Sequence, residues 1–335
     1  MTAGLGERRR ARSLSLFLIA GALTVIAAVT LAIESRGLDP NNASGPVLPG
    51  LAETIGGAQR ISVTSAEATY RIERTQQGWA MRDRDGYPVL SGRLAQLTEG
   101  LESLRYLRRM TSDASKHERL GVTDPREGGR GILIQVEDGR GALLVNLILG
   151  VETNGLYVRR PGEAQTWAAD GELPPLRDVA TWMDLQPLNI AAERLARVEI
   201  VPAEGRAYIL ARDGADQPWR IAAPALASLA QSTVTSTAER LTQLQPVDVR
   251  TAPAIQGPPR ARVRATTFDG VAIDAELIVS DNRTWVKLVA RAGAPEQEPA
   301  ALEINNRSAA WAYALSDSEA EALAAPLSRL VPGAQ

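Results

Sequence analysis

The hydrophobic pattern changes character along the chain. It opens with one unbroken apolar run, Leu14 to Ile33, that holds no charge. About 20 apolar residues match a hydrocarbon core of about 30 Å. The run, with Leu14, Phe17, Leu18, Ile19, Leu23, Val25, Ile26, Val29, Leu31 and Ile33 as its bulky members, predicts a membrane anchor over 13–33. Residues 34–59 lose all periodicity and are rich in Gly, Pro and Asn, which predicts a linker with a short helical piece at Leu51–Ile55. Alternation begins near Arg60. Ile61 and Val63, Tyr70 and Ile72, and Trp79 and Met81 predict three strands, with SAEA as the first turn. Leu94, Leu97, Leu101, Leu104 and Leu107 then fall three and four apart, the stripe of an amphipathic helix. Strands are predicted at Gly131–Val136, Ala142–Leu149, Gly155–Arg159 and Gln165–Ala168. EDGRG forms a hairpin turn between the first two. Pro174-Pro175 opens a short helix through Trp182.

After residue 195 the same order returns. Tyr208 lies 138 residues after Tyr70, Trp219 140 after Trp79, and Leu241 140 after Leu101. Asp269-Gly270 lies 131 after Asp138-Gly139, and Trp311 144 after Trp167. Ser316 and Glu319 have capping-box spacing and open a last helix. Landmarks that keep their order and nearly keep their offset predict an internal duplication. The expectation is an α+β protein: a single transmembrane helix, then modules at 60–190 and 195–332, each an antiparallel sheet packed by a long amphipathic helix. The alternative is one α+β domain with coincidental landmarks.

Charge sets the orientation of the anchor. Arg8, Arg9, Arg10 and Arg12 precede the apolar run, which predicts a cytoplasmic basic tail over residues 1–12 and a periplasmic position for everything after Ile33, at a bacterial inner membrane. The run exceeds the 7–15 residues usual for a signal peptide, which favours an uncleaved signal anchor; Thr30 and Ala32 leave a weak cleavage site as the alternative. The formal net charge is −2, and −5 without residues 1–12, which hold four Arg and one Glu. Neither value fits a nucleic-acid binder.

Residue types narrow the chemistry further. The chain has no Cys, which removes disulfides, thiolate metal sites and cysteine nucleophiles. His117 is the one histidine, and no GxSxG elbow accompanies it, against a Ser-His-Asp hydrolase. Its expected place is a surface turn ending in Gly121. No GxxxxGK[ST] or GxGxxG occurs, so Gly128–Gly131 reads as a loop feeding a strand. Two acidic pairs, Asp83 with Asp85 and Glu137 with Asp138, are the candidates for carboxylate chemistry of the glycosidase kind. Neighbours on a strand point to opposite faces, which speaks against Glu137 and Asp138. Asp83 and Asp85 sit among arginines in GWAMRDRDGYPV, whose charges are expected to be solvated, with Trp79 as a core pin. Arg159 and Arg160 form the one exposed-looking paired-arginine turn and are the candidate partner or anion contact. No cofactor is expected.

The stretches VLPGLAETIGGAQRISV, GWAMRDRDGYPV, RMTSDASKHERLGVTDP, ILG and YVRRPGEAQTWAADG come in this order and resemble a bacterial envelope family, domain-of-unknown-function family 4340. The resemblance covers about residues 46–250 well and the last third weakly. It implies single-pass exported proteins, often encoded beside an ABC-2-type transporter and a gliding-motility-type auxiliary protein. It brings no catalytic residue. The combined expectation is a non-catalytic accessory or scaffold subunit of an envelope complex, with the cytoplasmic membrane and a transporter permease or auxiliary protein as partners. An envelope enzyme acting on glycan or peptide through acidic residues, and a periplasmic ligand-binding module, are the alternatives.

Overall fold

The computed structural model describes residues 45–152, 155–224 and 230–330. The apolar run Leu14–Ile33 and its basic flank lie outside the described residues. Among those described, no helix is long and apolar enough to cross a membrane.

In chain order the first ten strands are β1 (Gly45–Pro46), β2 (Ala58–Thr64), β3 (Thr69–Thr75), β4 (Gly78–Met81), β5 (Tyr87–Pro88), β6 (Arg105–Arg109), β7 (Ile132–Asp138), β8 (Leu143–Glu152), β9 (Gly155–Arg159) and β10 (Thr166–Asp170). Eight follow: β11 (Leu195–Val201), β12 (Tyr208–Ala211), β13 (Arg220–Ala223), β14 (Asp248–Thr251), β15 (Ala261–Thr267), β16 (Val271–Ser280), β17 (Arg283–Ala292) and β18 (Trp311–Leu315). The helices of more than four residues are α1 (Ser91–Ser103), α2 (Gln231–Glu239), α3 (Glu298–Ser308) and α4 (Asp317–Leu323). The protein is mixed α+β, with antiparallel sheets and few helices.

Two compact units divide the chain. Among the described residues the first holds 45–71 and Gly92–Arg177, the second Ile72–Ser91 and those from Asp178 on. The segment 72–91 thus belongs with the later half of the chain, unlike the 60–190 and 195–332 division expected from sequence.

In the first unit the sheet runs β1-β6-β10-β9-β8-β7-β2. Strands β7 and β8 each have a neighbouring strand on both sides, and Ile132, Leu133, Ile134 and Leu147, Ile148, Leu149 are continuous apolar runs buried on both faces. The linker expected over 34–59 is shorter: Val47, Leu48 and Leu51 are buried, and their burial folds the chain from Gly45 on. Helix α1 buries Leu97, Gly100 and Leu101. A Cβ at Gly100 would lie 2.2 Å from the Glu172 carbonyl oxygen, so only glycine fits there. The helix stops at Ser103. Leu107, the last member of the expected stripe, instead lies on β6 and is exposed. The helix expected from Pro174 is reduced to a 3-10 turn at Val179–Trp182.

The second unit's main sheet runs β13-β12-β11-β15-β16-β17-β18-β14. Helix α2 lies against β11, β12 and β13. It is nine residues long and passes into a 3-10 turn, Arg240–Gln243, so the expected long helix is two short pieces. The helix buries Val234, Thr237 and Ala238, and the 3-10 turn buries Leu241. Helix α3 packs on β17. Strand β17 pairs with β18 only over Thr284–Lys287, and beyond that the Asn305 side-chain amide takes the place of a strand: Ala290 N donates to Asn305 Oδ1 at 2.7 Å, and Asn305 Nδ2 donates to Ala290 O at 2.9 Å. The turn at Asp269-Gly270 and the cap of α4, where Glu319 N donates to Ser316 Oγ at 3.3 Å, fall as the sequence predicts.

The two sheets share one strand order. Read outward from β2, the first is β2-β7-β8-β9-β10-β6; read outward from β11, the second is β11-β15-β16-β17-β18-β14. Tyr70 and Tyr208, both 1% exposed, also share a role. Each hydroxyl donates at 2.9 Å to a carbonyl in the segment that follows its sheet, Leu176 O and Ala325 O respectively.

Candidate functional site

The charged turn of GWAMRDRDGYPV lies in the second unit. Arg82–Arg84 form a 3-10 turn, and Asp85 (φ 54°) and Gly86 (φ 81°) reverse the chain in the left-handed region. Strand β14 ends its sheet, so one edge of it has no neighbouring strand. The amides of Val249 and Thr251, which such an edge leaves exposed, are taken by carboxylates. Thr251 N donates to Asp85 Oδ2 at 2.9 Å, the Thr251 hydroxyl donates to the same oxygen at 3.2 Å, and Val249 N donates to Asp248 Oδ1 at 2.9 Å. The Thr251 amide, above all, holds the Asp85 carboxyl below the usual carboxylate range, with Arg250 adding to the effect. Arg84 Nε donates to Asp248 Oδ1, and Arg283 Nη1 reaches Asp248 Oδ2 at 3.2 Å.

Arg84 and Asp85 are therefore not the solvated charges the sequence suggested. The Asp248 side chain is only 11% exposed. Arg82 does remain at the surface, 66% exposed and 3.9 Å from Glu73. Trp79 is half-buried, and the fully buried residue of its strand is Met81. Trp219, by contrast, is buried under the Arg212 guanidinium, 4.6 Å from its ring, and donates from Nε1 to Glu239 at 3.2 Å. The two tryptophans do not share an environment.

Next to the charged turn lies an open cleft of about 430 Å³, lined by Tyr87, Val89, Leu90, Glu303, Arg307 and Trp311 among others. Tyr87 stands edge-on to Trp311 at 4.7 Å and to Tyr313 at 6.4 Å. Its hydroxyl donates to Asp184 O at 2.5 Å, and burial pushes its pKa up. Arg307 Nη1 holds the Asp184 carboxylate at 2.9 Å. The cleft thus has an aromatic floor, an exposed apolar lip at Leu90 and a charged rim.

In the first unit the motif stretches converge on backbone groups. The Arg159 Nε donates to Val122 O at 2.9 Å and its Nη1 to Glu163 O at 3.1 Å. It is buried, and that burial lowers its pKa. As a solvent-facing anion contact Arg159 is corrected: two carbonyls take its donors inside the fold. Arg160 is exposed and fastens Val47 O at 3.1 Å. His117, expected at the surface, is buried with its ring Nε2 2.8 Å from Ala164 O. Val122 sits in a cluster with Leu133, Ile148, Tyr157 and Ala168. A Cβ at Gly150 would lie 2.0 Å from Leu120 O, so this glycine lets the RLGV turn lie on β8.

The remaining acids are also in use. Asp138 accepts from Arg140 N and Ala142 N at 2.8 and 2.9 Å, which holds its pKa down and closes the hairpin. Glu137 pairs with Arg60 at 2.7 Å. Asp83 and Asp85 belong to the second unit, Glu137 and Asp138 to the first. Among the described residues no three His, Asp or Glu side chains cluster as metal ligands would.

These features define an α+β protein whose motif residues serve mostly to hold loops and a sheet edge, with one cleft left open beside them. The chain belongs to the domain-of-unknown-function family DUF4340, whose model matches residues 79–261, from Trp79 to the first residue of β15. No curated protein matches the chain. The match takes in the charged turn, both paired arginines and the Tyr87 side of the cleft.

Proposed function

We propose that this protein is a non-catalytic, single-pass accessory or scaffold subunit of a bacterial envelope complex, with its folded part periplasmic and an ABC-type transporter permease or its auxiliary protein as partner. The observation that carries the reading is the cleft at Tyr87, Val89, Leu90 and Trp311. It is open, carries two aromatic rings and an apolar lip, and is rimmed by charge, the form that suits a docked segment of another chain. The involvement of Asp85, Glu137, Asp138 and His117 in structural contacts favours binding over acid–base chemistry. The apolar run Leu14–Ile33 behind four arginines supports the anchor and its orientation. The matching strand orders support a duplicated module, each copy a sheet with its own helix.

Pull-down of the full chain from mild detergent at native abundance is expected to recover a transporter permease or its auxiliary protein, and Leu90→Glu is expected to reduce that recovery. Recovery of the chain alone refutes the reading. The cleft volume also falls within the few hundred cubic ångströms of a small-ligand site, which favours a ligand-binding module as the second reading. A protein that shifts no thermal transition with periplasmic small-molecule extracts but captures the permease separates the two.

A further inference from the structure

Strand β6, RYLRR, turns its side chains outward. Arg105, Leu107, Arg108 and Arg109 are all exposed, Leu107 by 54%. Tyr106 is half-buried, its ring 4.9 Å from Trp167. Among the described residues, strand β1 pairs with β6 at Gly45↔Tyr106 and Pro46↔Arg105. On the other side Arg108 pairs with Ala168 and Tyr106 with Ala169, which leaves Leu107 as an extra residue outside the ladder, a bulge. Neither Arg105 nor Arg108 holds an ion pair among the described residues, and Arg109 Nε donates to the neutral Gln165 at 2.6 Å. The acid nearest in register is Asp170, opposite Arg105.

We propose that β6 is a lipid-facing strand that lies on anionic phospholipid headgroups beside the membrane anchor. This rests on the anchored reading above. Chain length places it: the twelve positions from Ile33 to Gly45 reach at most about 40 Å. Direction places it too. Because β1 and β6 are antiparallel, with Gly45 against Tyr106, the chain enters β1 from the Leu107–Arg109 side. The exported part carries a formal charge of −5, so bulk charge does not draw it to an anionic surface. A local patch acts only within a Debye length of about 8 Å, and a tether of this reach lets β6 come that close. Arginine suits phosphate through its forked donors, and a bulged leucine between arginines matches the headgroup–acyl boundary. Three arginines at about fivefold each shift the contact equilibrium on the order of a hundredfold.

The absence of cysteine makes the test clean, because Leu107→Cys introduces the only thiol. The full chain, labelled there with a fluorophore, is reconstituted into vesicles of phosphatidylcholine alone or with phosphatidylglycerol, both carrying a quencher lipid at headgroup depth. Val151→Cys on β8 of the same unit, 55% exposed, is the control. Quenching at 107 is expected to exceed that at 151 in the anionic vesicles, to fall in high salt, and to weaken about fivefold in contact equilibrium with Arg108→Gln. Equal quenching at the two positions makes β6 an edge guard only and overturns the proposal. So does quenching that ignores lipid charge, or that appears only when a co-purified protein is present. The anchor is judged separately by co-flotation with the zwitterionic vesicles. If flotation fails there, quenching at 107 in anionic vesicles still supports the strand, and its absence still overturns it.

Discussion

Removing Arg84 probes the charged turn at its least exposed point. Its guanidinium donates to Asp248, whose side chain is 11% exposed and also takes Arg283 and the Val249 amide. A hydrogen bond to a charged group contributes about 1.5–3 kcal/mol. Arg84 is itself 20% exposed, and Arg283 continues to neutralise Asp248, so the lower part of that range applies. Arg84→Ala should cost about 2 kcal/mol. Asp248→Ala loses both guanidinium contacts and strands the Val249 amide, so about 3–4 kcal/mol is expected. The two losses share one contact, and the double variant should fall short of their sum by about 1.5 kcal/mol. A chain of two compact units need not unfold in one step, so the readout is local. Hydrogen exchange at the Val249 and Thr251 amides in the full chain should accelerate about thirtyfold in Arg84→Ala. Arg82→Ala, at an exposed and long pair, should change exchange by less than about threefold. Two results would refute the reasoning: exchange in Arg84→Ala that matches Arg82→Ala, or a cost for Arg84→Ala that is unchanged when Asp248 is already gone.

The two buried tyrosines offer a second check. Tyr70→Phe and Tyr208→Phe each leave a carbonyl without its donor, and each should cost about 1–2 kcal/mol, read by hydrogen exchange of the amides of its own unit. A large cost at one and none at the other would remove the case for a shared module. The acid side of the stability curve follows from Asp85, Asp124 and Asp138. Backbone amides hold Asp85 and Asp138 below the usual range, and the Arg126 side chain does so for Asp124. A depressed folded-state pKa adds stability above the unfolded value of about 3.9, and that stability is lost as pH falls through the lowered values. Circular dichroism should therefore show stability that is flat near neutrality and declines below about pH 4. A decline that starts near pH 6 would point to other groups.

Local signals in the sequence carried most of the fold. The apolar runs of β7 and β8, the Asp-Gly turns and the Ser316 cap depend on neighbours a few residues away, and period and turn chemistry expose such neighbours directly. The leucine stripe failed at Leu107 because spacing alone does not say where a helix stops, and close passage of the Glu172 backbone at Gly100 leaves no mark in a periodicity. Helix α3 has a weak apolar stripe, with Leu302 exposed, and is held by Asn305 acting as a strand edge. The site was the least legible part. Arg84 and Asp85 look like surface charges because their partners lie 164 to 166 positions later. Arg159 looks like an exposed turn residue because the carbonyl it binds, Val122, belongs to another motif stretch.

The placement of residues 72–91 with the second unit also has a consequence in time. The ribosome releases Asp85 long before it makes Thr251, 166 positions on. At about 5–20 residues per second, the interval is roughly 10–30 s. Throughout it the turn has no edge to cover, and its acid and arginine have only water for company. The second unit cannot close on the later part of the chain alone; it waits for, and finally recruits, a hairpin that was synthesised first. Any truncation that ends before β14 leaves that hairpin unclaimed, and any that begins after Ser91 leaves the edge of β14 open.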